Sequence, residues 1–249
     1  MDCSASVAEG NLTINRSAAT HAITVLTALF LAVSLSGCDA AIRAGTRLAE
    51  AAGASEGQQT GLAEAAVALT ELENIPVKGR APKTGYSRDE FGPAWADTDH
   101  NGCDTRNDIL ARDLESETFT LGTQNCVVAT GTLADRYTGM TINFVRGNDT
   151  SSQVQIDHIV ALSDAWQKGA RQLSPDQRKQ LANDPLNLMA ADGPTNSAKG
   201  DKDAATWLPP NRAFRCEYVA RQTAVKAKYQ LWVTPAEHDA IAGILDTCR

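Results

Sequence analysis

The longest uncharged apolar run in the 249-residue sequence, 22–37 (AITVLTALFLAVSLSG), has 16 residues. That is short of the roughly 20 a membrane-spanning helix needs. Positive charge is also scarce: 23 Lys and Arg against 30 Asp and Glu give a net charge of −7. This excludes attachment to nucleic acid by bulk electrostatics alone, so any such contact must be local. No internal repeat is visible, and none of the cysteines follows the CxxC spacing usual in zinc sites. What is present, 43% hydrophobic and 21% charged residues, excludes a disordered or fibrous chain and suits one globular domain with extra segments. The charge is uneven. Residues 1–79 carry 4 basic against 8 acidic side chains, whereas 199–228 carry 7 basic against 3 acidic.

The apolar run follows Arg16 and stops at Cys38, the layout of a secretory signal. Its end, Leu35-Ser36-Gly37-Cys38, resembles a bacterial lipobox, whose cysteine becomes the lipidated first residue of the mature protein. An ordinary cleaved signal peptide is the alternative, and both readings export the protein. The expected organisation is a signal peptide with lipobox over 1–38, a tether with a short helix over 39–75, and the main globular domain over 76–249. Residues 39–61 are rich in Ala, Gly, Glu, Gln and Thr with little to bury, as in a tether. In 62–74, Leu62, Ala65, Ala66, Leu69 and Leu72 fall at helical spacing, predicting a short helix on the domain edge.

Of six cysteines, Cys103, Cys126, Cys216 and Cys248 remain in the exported domain, which suggests two disulfides with three possible connectivities. Residues 212–229 read as a helix, and Thr234-Pro235-Ala236-Glu237 is a capping box opening a second helix to about Asp246. A short connection makes these an antiparallel hairpin with Cys216 beside Cys248, leaving Cys103 for Cys126. Strands are expected at 126–133, 140–145, 154–160 and 186–190, and helices at about 163–172 and after the capping box Ser174-Pro175-Asp176-Gln177. Asp192-Gly193-Pro194 turns the chain into a further helix. The class is α+β.

Asp157-His158 ends a hydrophobic strand, Asn187 is expected in the next strand, and Asn196 opens the following helix. In a strand–strand–helix unit the end of the first strand faces the first helical turn. Asp157 and Asn196 would then offer two oxygen ligands to one cation, leaving other positions to water and phosphate, which suits Mg²⁺ or Mn²⁺. His158, free of the metal and with an ordinary pKa near 6.5, would take a proton from an attacking water. The segments IDHIVAL and NDPLNLMAADGPTNSAKGDKD resemble the HNH, or ββα-metal, nucleases. The likeness is to the secreted bacterial branch related to the C-terminal domain of GmrSD-type restriction enzymes, and it extends upstream through KGRAPKTGYSRDEFGPAW and NGCDTRNDILARDL. The resemblance implies an HNH core, to which the further strands and the disulfide-stapled C-terminal helical hairpin read above are added. It makes His158 the general base, Asp157 and Asn196 metal ligands, and Asn187 the brace of the loop that holds the histidine. Asn196 stands at the third letter of HNH, and the connection from His158 to Asn187 is long.

The expected function is hydrolysis of phosphodiester bonds in DNA, more than RNA, with low sequence specificity; the resemblance implies 5′-phosphate and 3′-hydroxyl products. Lys199, Lys202 and the 199–228 basic stretch would supply phosphate contacts. A lipid on Cys38 would hold the protein to the membrane, or it would be released, and no protein partner is expected. The rival is a non-catalytic surface lipoprotein that binds a polymer or partner. Separately, Asp97, Asp99, Asn101 and Asp108 fit a calcium-loop pattern with Asp in place of the final Glu. An Asx-rich turn closed by a disulfide is the simpler reading of the same residues.

Overall fold

The computed structural model describes residues 63–248. The signal segment, Cys38 and the tether lie outside the described residues. Helix α1 (63–74) presents Ala65, Ala68 and Leu72 to the interior, followed by Ile75. Ala66, expected on that face, is exposed. These residues share one core with Tyr218, Val219, Ile241 and Leu245, and Val77 bridges to Val233. The helix is therefore part of the core, and the compact unit starts before residue 76.

Helix α2 (Thr105–Asp113) is capped by Asp104, whose carboxylate accepts from the Asn107 amide. A three-stranded antiparallel sheet follows, in the order β1 (Leu114–Phe119), β2 (Val128–Ala134), β3 (Thr141–Val145). Strand β1 is absent from the sequence expectation. Its residues, LESETF, are mostly polar, and an irregular register between Glu115 and Thr118, with Ser116 at φ 52°, breaks the alternation that would reveal it.

Strands β4 (Val154–His158) and β5 (Leu188–Asp192) form a separate antiparallel hairpin, paired from Val154↔Asp192 to His158↔Leu188. One face of the hairpin, Val154, Ile156, Leu188 and Ala190, packs with Ile109 and Phe144. Met189 and Ala191 on the other face join the core around Tyr137 and Tyr218. Covered on both sides, β5 reads as a continuous buried run. Helix α5 (Gly193–Lys199) follows at once, capped by Asp192, whose carboxylate accepts from the Thr195 amide. Gly193 is required there, since a Cβ would sit 2.0 Å from the Ser152 carbonyl oxygen.

Between the two hairpin strands, residues 159–187 make an excursion containing α3 (Leu162–Gln167) and α4 (Pro175–Asn183), the latter opened by the expected Ser174 capping box. The first is shorter than expected, because Gly169 at φ 124° ends it and a 3-10 turn, Ala170–Gln172, follows. Helices α6 (Arg215–Lys228) and α7 (Pro235–Thr247) form the C-terminal pair, with the expected capping box at Thr234. Both disulfides, Cys103–Cys126 and Cys216–Cys248, pair as the sequence reading expects.

The interior also holds a buried ionic cluster. The Lys168 ammonium contacts Asp164 at 2.8 Å, Asp203 at 2.7 Å and Glu237 at 2.7 Å. Lys226 reaches Glu237 at 2.8 Å, and Arg80 reaches Asp164 and Asp203 at 2.8 Å each. The cluster joins α3, α6, α7 and the segments around residues 80 and 203.

Candidate active site

The strand–strand–helix unit brings the expected residues to one place. On β4, Gln155 and Asp157 share a face, and α5 lies across it with Asn196 and Lys199 one turn apart. The Asn196 amide nitrogen donates to Gln155 Oε1 at 2.9 Å, and Lys199 Nζ donates to Asp157 Oδ1 at 2.9 Å. The phenol of Tyr137 donates to the other oxygen of Asp157. Tyr137 is positioned by the 135–139 turn, where buried Asp135 accepts from Thr138 and from the Asp192 amide. Burial, and then the Asp157 charge, push the Tyr137 phenol well above its usual pKa, so it remains a donor.

His158 is buried, and its Nε2 lies 2.9 Å from the Ala182 carbonyl oxygen. A carbonyl only accepts, so Nε2 carries the proton and Nδ1 keeps its lone pair. Burial lowers the imidazole pKa to about 4; the Ala182 bond and Asp157 oppose the shift, while the Arg88 and Lys199 charges assist it. His158 is consequently neutral at pH 7, the state a proton acceptor needs. The Trp95 ring lies alongside, 6.1 Å between centroids and nearly parallel.

Asn187 lies in the turn just before β5, where its carbonyl accepts from the Ile159 amide at 2.7 Å, and is fully buried. Its Oδ1 accepts from the Val160 amide at 2.8 Å, and its Nδ2 donates to the carbonyls of Val160 and Leu181. The last turn of α4 thus gives two otherwise unpaired carbonyls to the site, Leu181 to Asn187 and Ala182 to His158.

Asp157, His158 and Asn196 all line a cavity of about 240 Å³, with Tyr86, Arg88 and Ser163 around it. The donors present there, one carboxylate and one amide oxygen, are hard ligands. Lys199 Nζ lies 2.9 Å from both Asp157 oxygens and Tyr137 donates to one of them, so Oδ1 meets one donor, while Asn196 uses only its nitrogen and keeps its amide oxygen. This set fits a divalent cation that keeps most of its shell for water or phosphate. Among the described residues no group of three His, Cys, Asp or Glu is placed to hold a metal. That holds also for the 97–108 loop. There Asn101 donates to Asp99 and Asp108, the Gly102 amide donates to Asp97, and the Cys103–Cys126 disulfide closes the turn.

Lys199 differs from expectation. Lys199 is fully buried and bonded to Asp157 and to the His158 carbonyl, so it is an internal cation and no surface for phosphate. Lys202 is exposed and donates to the Ala198 carbonyl. Elsewhere in the basic stretch, Lys226 is buried among acids, Lys228 pairs with Asp184, and Arg215 and Arg221 donate to backbone carbonyls. These cations are consumed by the fold. Sequence reasoning missed Tyr137, Gln155, Trp95 and Arg88 as neighbours of the site. The only signal for the last two was their place in the YSRDEFGPAW segment.

An uncharacterized secreted protein of Arthroderma benhamiae is 37% identical over 186 residues, covering 74% of this chain and 86% of that protein. Its source is a fungus, where the resemblance implies bacteria. No solved structure matches. The family described as GmrSD restriction endonucleases, C-terminal domain, matches residues 104–244, which include both hairpin strands, the 159–187 excursion and α5, and the chain belongs to that family.

Proposed function

We propose that the protein is an exported, metal-dependent endonuclease of the HNH type that hydrolyses phosphodiester bonds in DNA with little sequence preference. The observation that carries this reading is the His158 tautomer. With Nε2 donating to Ala182, the Nδ1 lone pair is left as the proton acceptor, on a residue that lines the same cavity as Asp157 and Asn196. His158 accepts the proton of an attacking water at Nδ1. Asp157 and Asn196 would hold Mg²⁺ or Mn²⁺, which when bound would stabilise charge on the phosphate and the leaving oxygen. Lys199 and Tyr137 orient the Asp157 carboxylate, and Asn187 holds the chain beyond His158 so that the imidazole keeps its place. The family's nuclease name and the secreted description of the fungal relative support the reading. Lipid attachment at Cys38 completes it: Cys38→Ala is expected to move the protein from the membrane fraction to the medium or leave it unprocessed.

The test is incubation of the purified chain with supercoiled plasmid and, separately, RNA, in Mg²⁺, in Mn²⁺ and in chelator. Plasmid nicking that needs the cation, and that falls by roughly 10²-fold or more in His158→Ala, is expected. Cleavage at the parental rate by His158→Ala, or in chelator, would reject the mechanism.

A further inference from the structure

We propose that Arg88 is the phosphate-binding side chain of this site, gripping the nucleic-acid backbone next to the bond that is cut. The proposal rests on the nuclease reading and adds to it the residue that holds the substrate.

A polyanion brought to a protein of net charge −7 needs a local cation at the point of attack. The lysine within the unit, Lys199, is already committed to Asp157. Among the described residues that line the 240 Å³ cavity, Arg88 is the one cationic side chain. It also lines a second, smaller cavity of about 70 Å³ on the Trp95 side of His158, so it stands between the two openings that flank the base. Unlike the other arginines near the hairpin, it is exposed and makes no hydrogen bond or ion pair within the described residues. Arg106 and Arg112, by contrast, donate to backbone carbonyls.

Its backbone is held although its side chain is free. Ser87 caps the short 3-10 turn Arg88–Phe91, and Phe91 is buried against Trp166. Glu90 is tied to Arg178 of α4 at 3.1 Å. The adjacent acids do not neutralise it: Asp89 accepts from the Ser87 hydroxyl and Glu90 is engaged by Arg178. An anchored backbone carrying an unpaired guanidinium, on a residue that lines a cavity together with His158, is suited to a two-pronged bond with phosphate oxygens.

The experiment compares parent, Arg88→Ala and Arg88→Lys as full chains. Cleavage kinetics are measured on a labelled duplex, and equilibrium binding of the same duplex is measured in a His158→Ala background over a range of salt. Arg88→Ala should raise KM and lower kcat/KM by about 10- to 100-fold, and reduce the slope of log K against log salt by about 1. Arg88→Lys should recover part of the affinity, since it keeps the charge and loses the fork. The thermal midpoint should not move, because the side chain makes no bond in the fold. Parental KM and salt slope in Arg88→Ala would overturn the assignment while leaving the nuclease reading intact. A parent that neither binds nor cuts nucleic acid would overturn both.

Discussion

At Asn187 a single side chain satisfies three buried backbone groups, the Val160 amide and the carbonyls of Val160 and Leu181. Asn187→Ala leaves them without partners, at about 1–3 kcal/mol for each group that water does not reach. It should lower the urea midpoint and the cleavage rate together while leaving the Mg²⁺ requirement unchanged. A variant that instead needs more Mg²⁺ would make Asn187 a ligand. His158 sets the pH response. Its folded pKa of about 4 lies below the ordinary 6.5, so between these values the unfolded chain binds the extra proton and acid destabilises the fold through that window. In the folded chain the imidazole stays neutral to about pH 4, so with His158 as the proposed base kcat should have its acid limb near 4 and not near 6.5, read from initial rates between pH 4 and 8. The meeting of Asp157, His158 and Asn196 at one cavity was legible in the sequence because the family pattern fixes their order. The burial of Lys199 and the approach of Tyr137 were not, because each depends on elements far apart in the chain.

The ββα unit was readable as an element despite the 159–187 excursion, since the Asp192 cap and Pro194 mark the helix start as clearly as Ser174 marks α4. Strand β1 was not readable, because its irregular register and polar residues remove the period on which strand recognition depends. The long helix expected at 163–172 was divided by one glycine in a left-handed conformation. Element docking in the interior depends on the Lys168 cluster. Burial alone would raise the Asp203 pKa, yet Lys168, with Thr206 and Arg80, brings it down to about 2. This stability is present above the unfolded value near 3.8 and is lost as pH falls through about 2, amounting to about 2 kcal/mol. Lys168→Met removes the central cation from three buried carboxylates and should cost roughly 3–5 kcal/mol, measured by urea unfolding at pH 7. Gly193→Ala should also destabilise, because the Ser152 carbonyl occupies the space its Cβ needs.

For the whole molecule, a net charge of −7 and a basic stretch largely consumed by internal contacts leave few cations to displace counterions from DNA. Binding measured in the His158→Ala background should therefore show a shallow salt dependence, a slope of magnitude about 1–2, where proteins making six or more phosphate contacts show several times that. A slope of 6 or more would mean that a basic surface outside this site carries the affinity. The two disulfides staple Cys103 to Cys126 and Cys216 to Cys248, and neither encloses the stretch from β2 through α5. Within that unstapled stretch, the last turn of α4 accepts from both His158 and Asn187. Fraying of this single turn frees the imidazole to change tautomer and releases the brace in the same event. Heat inactivation is thus expected as one cooperative step ahead of global unfolding, with amide exchange at Leu181–Asn183 rising at the temperature where cleavage stops.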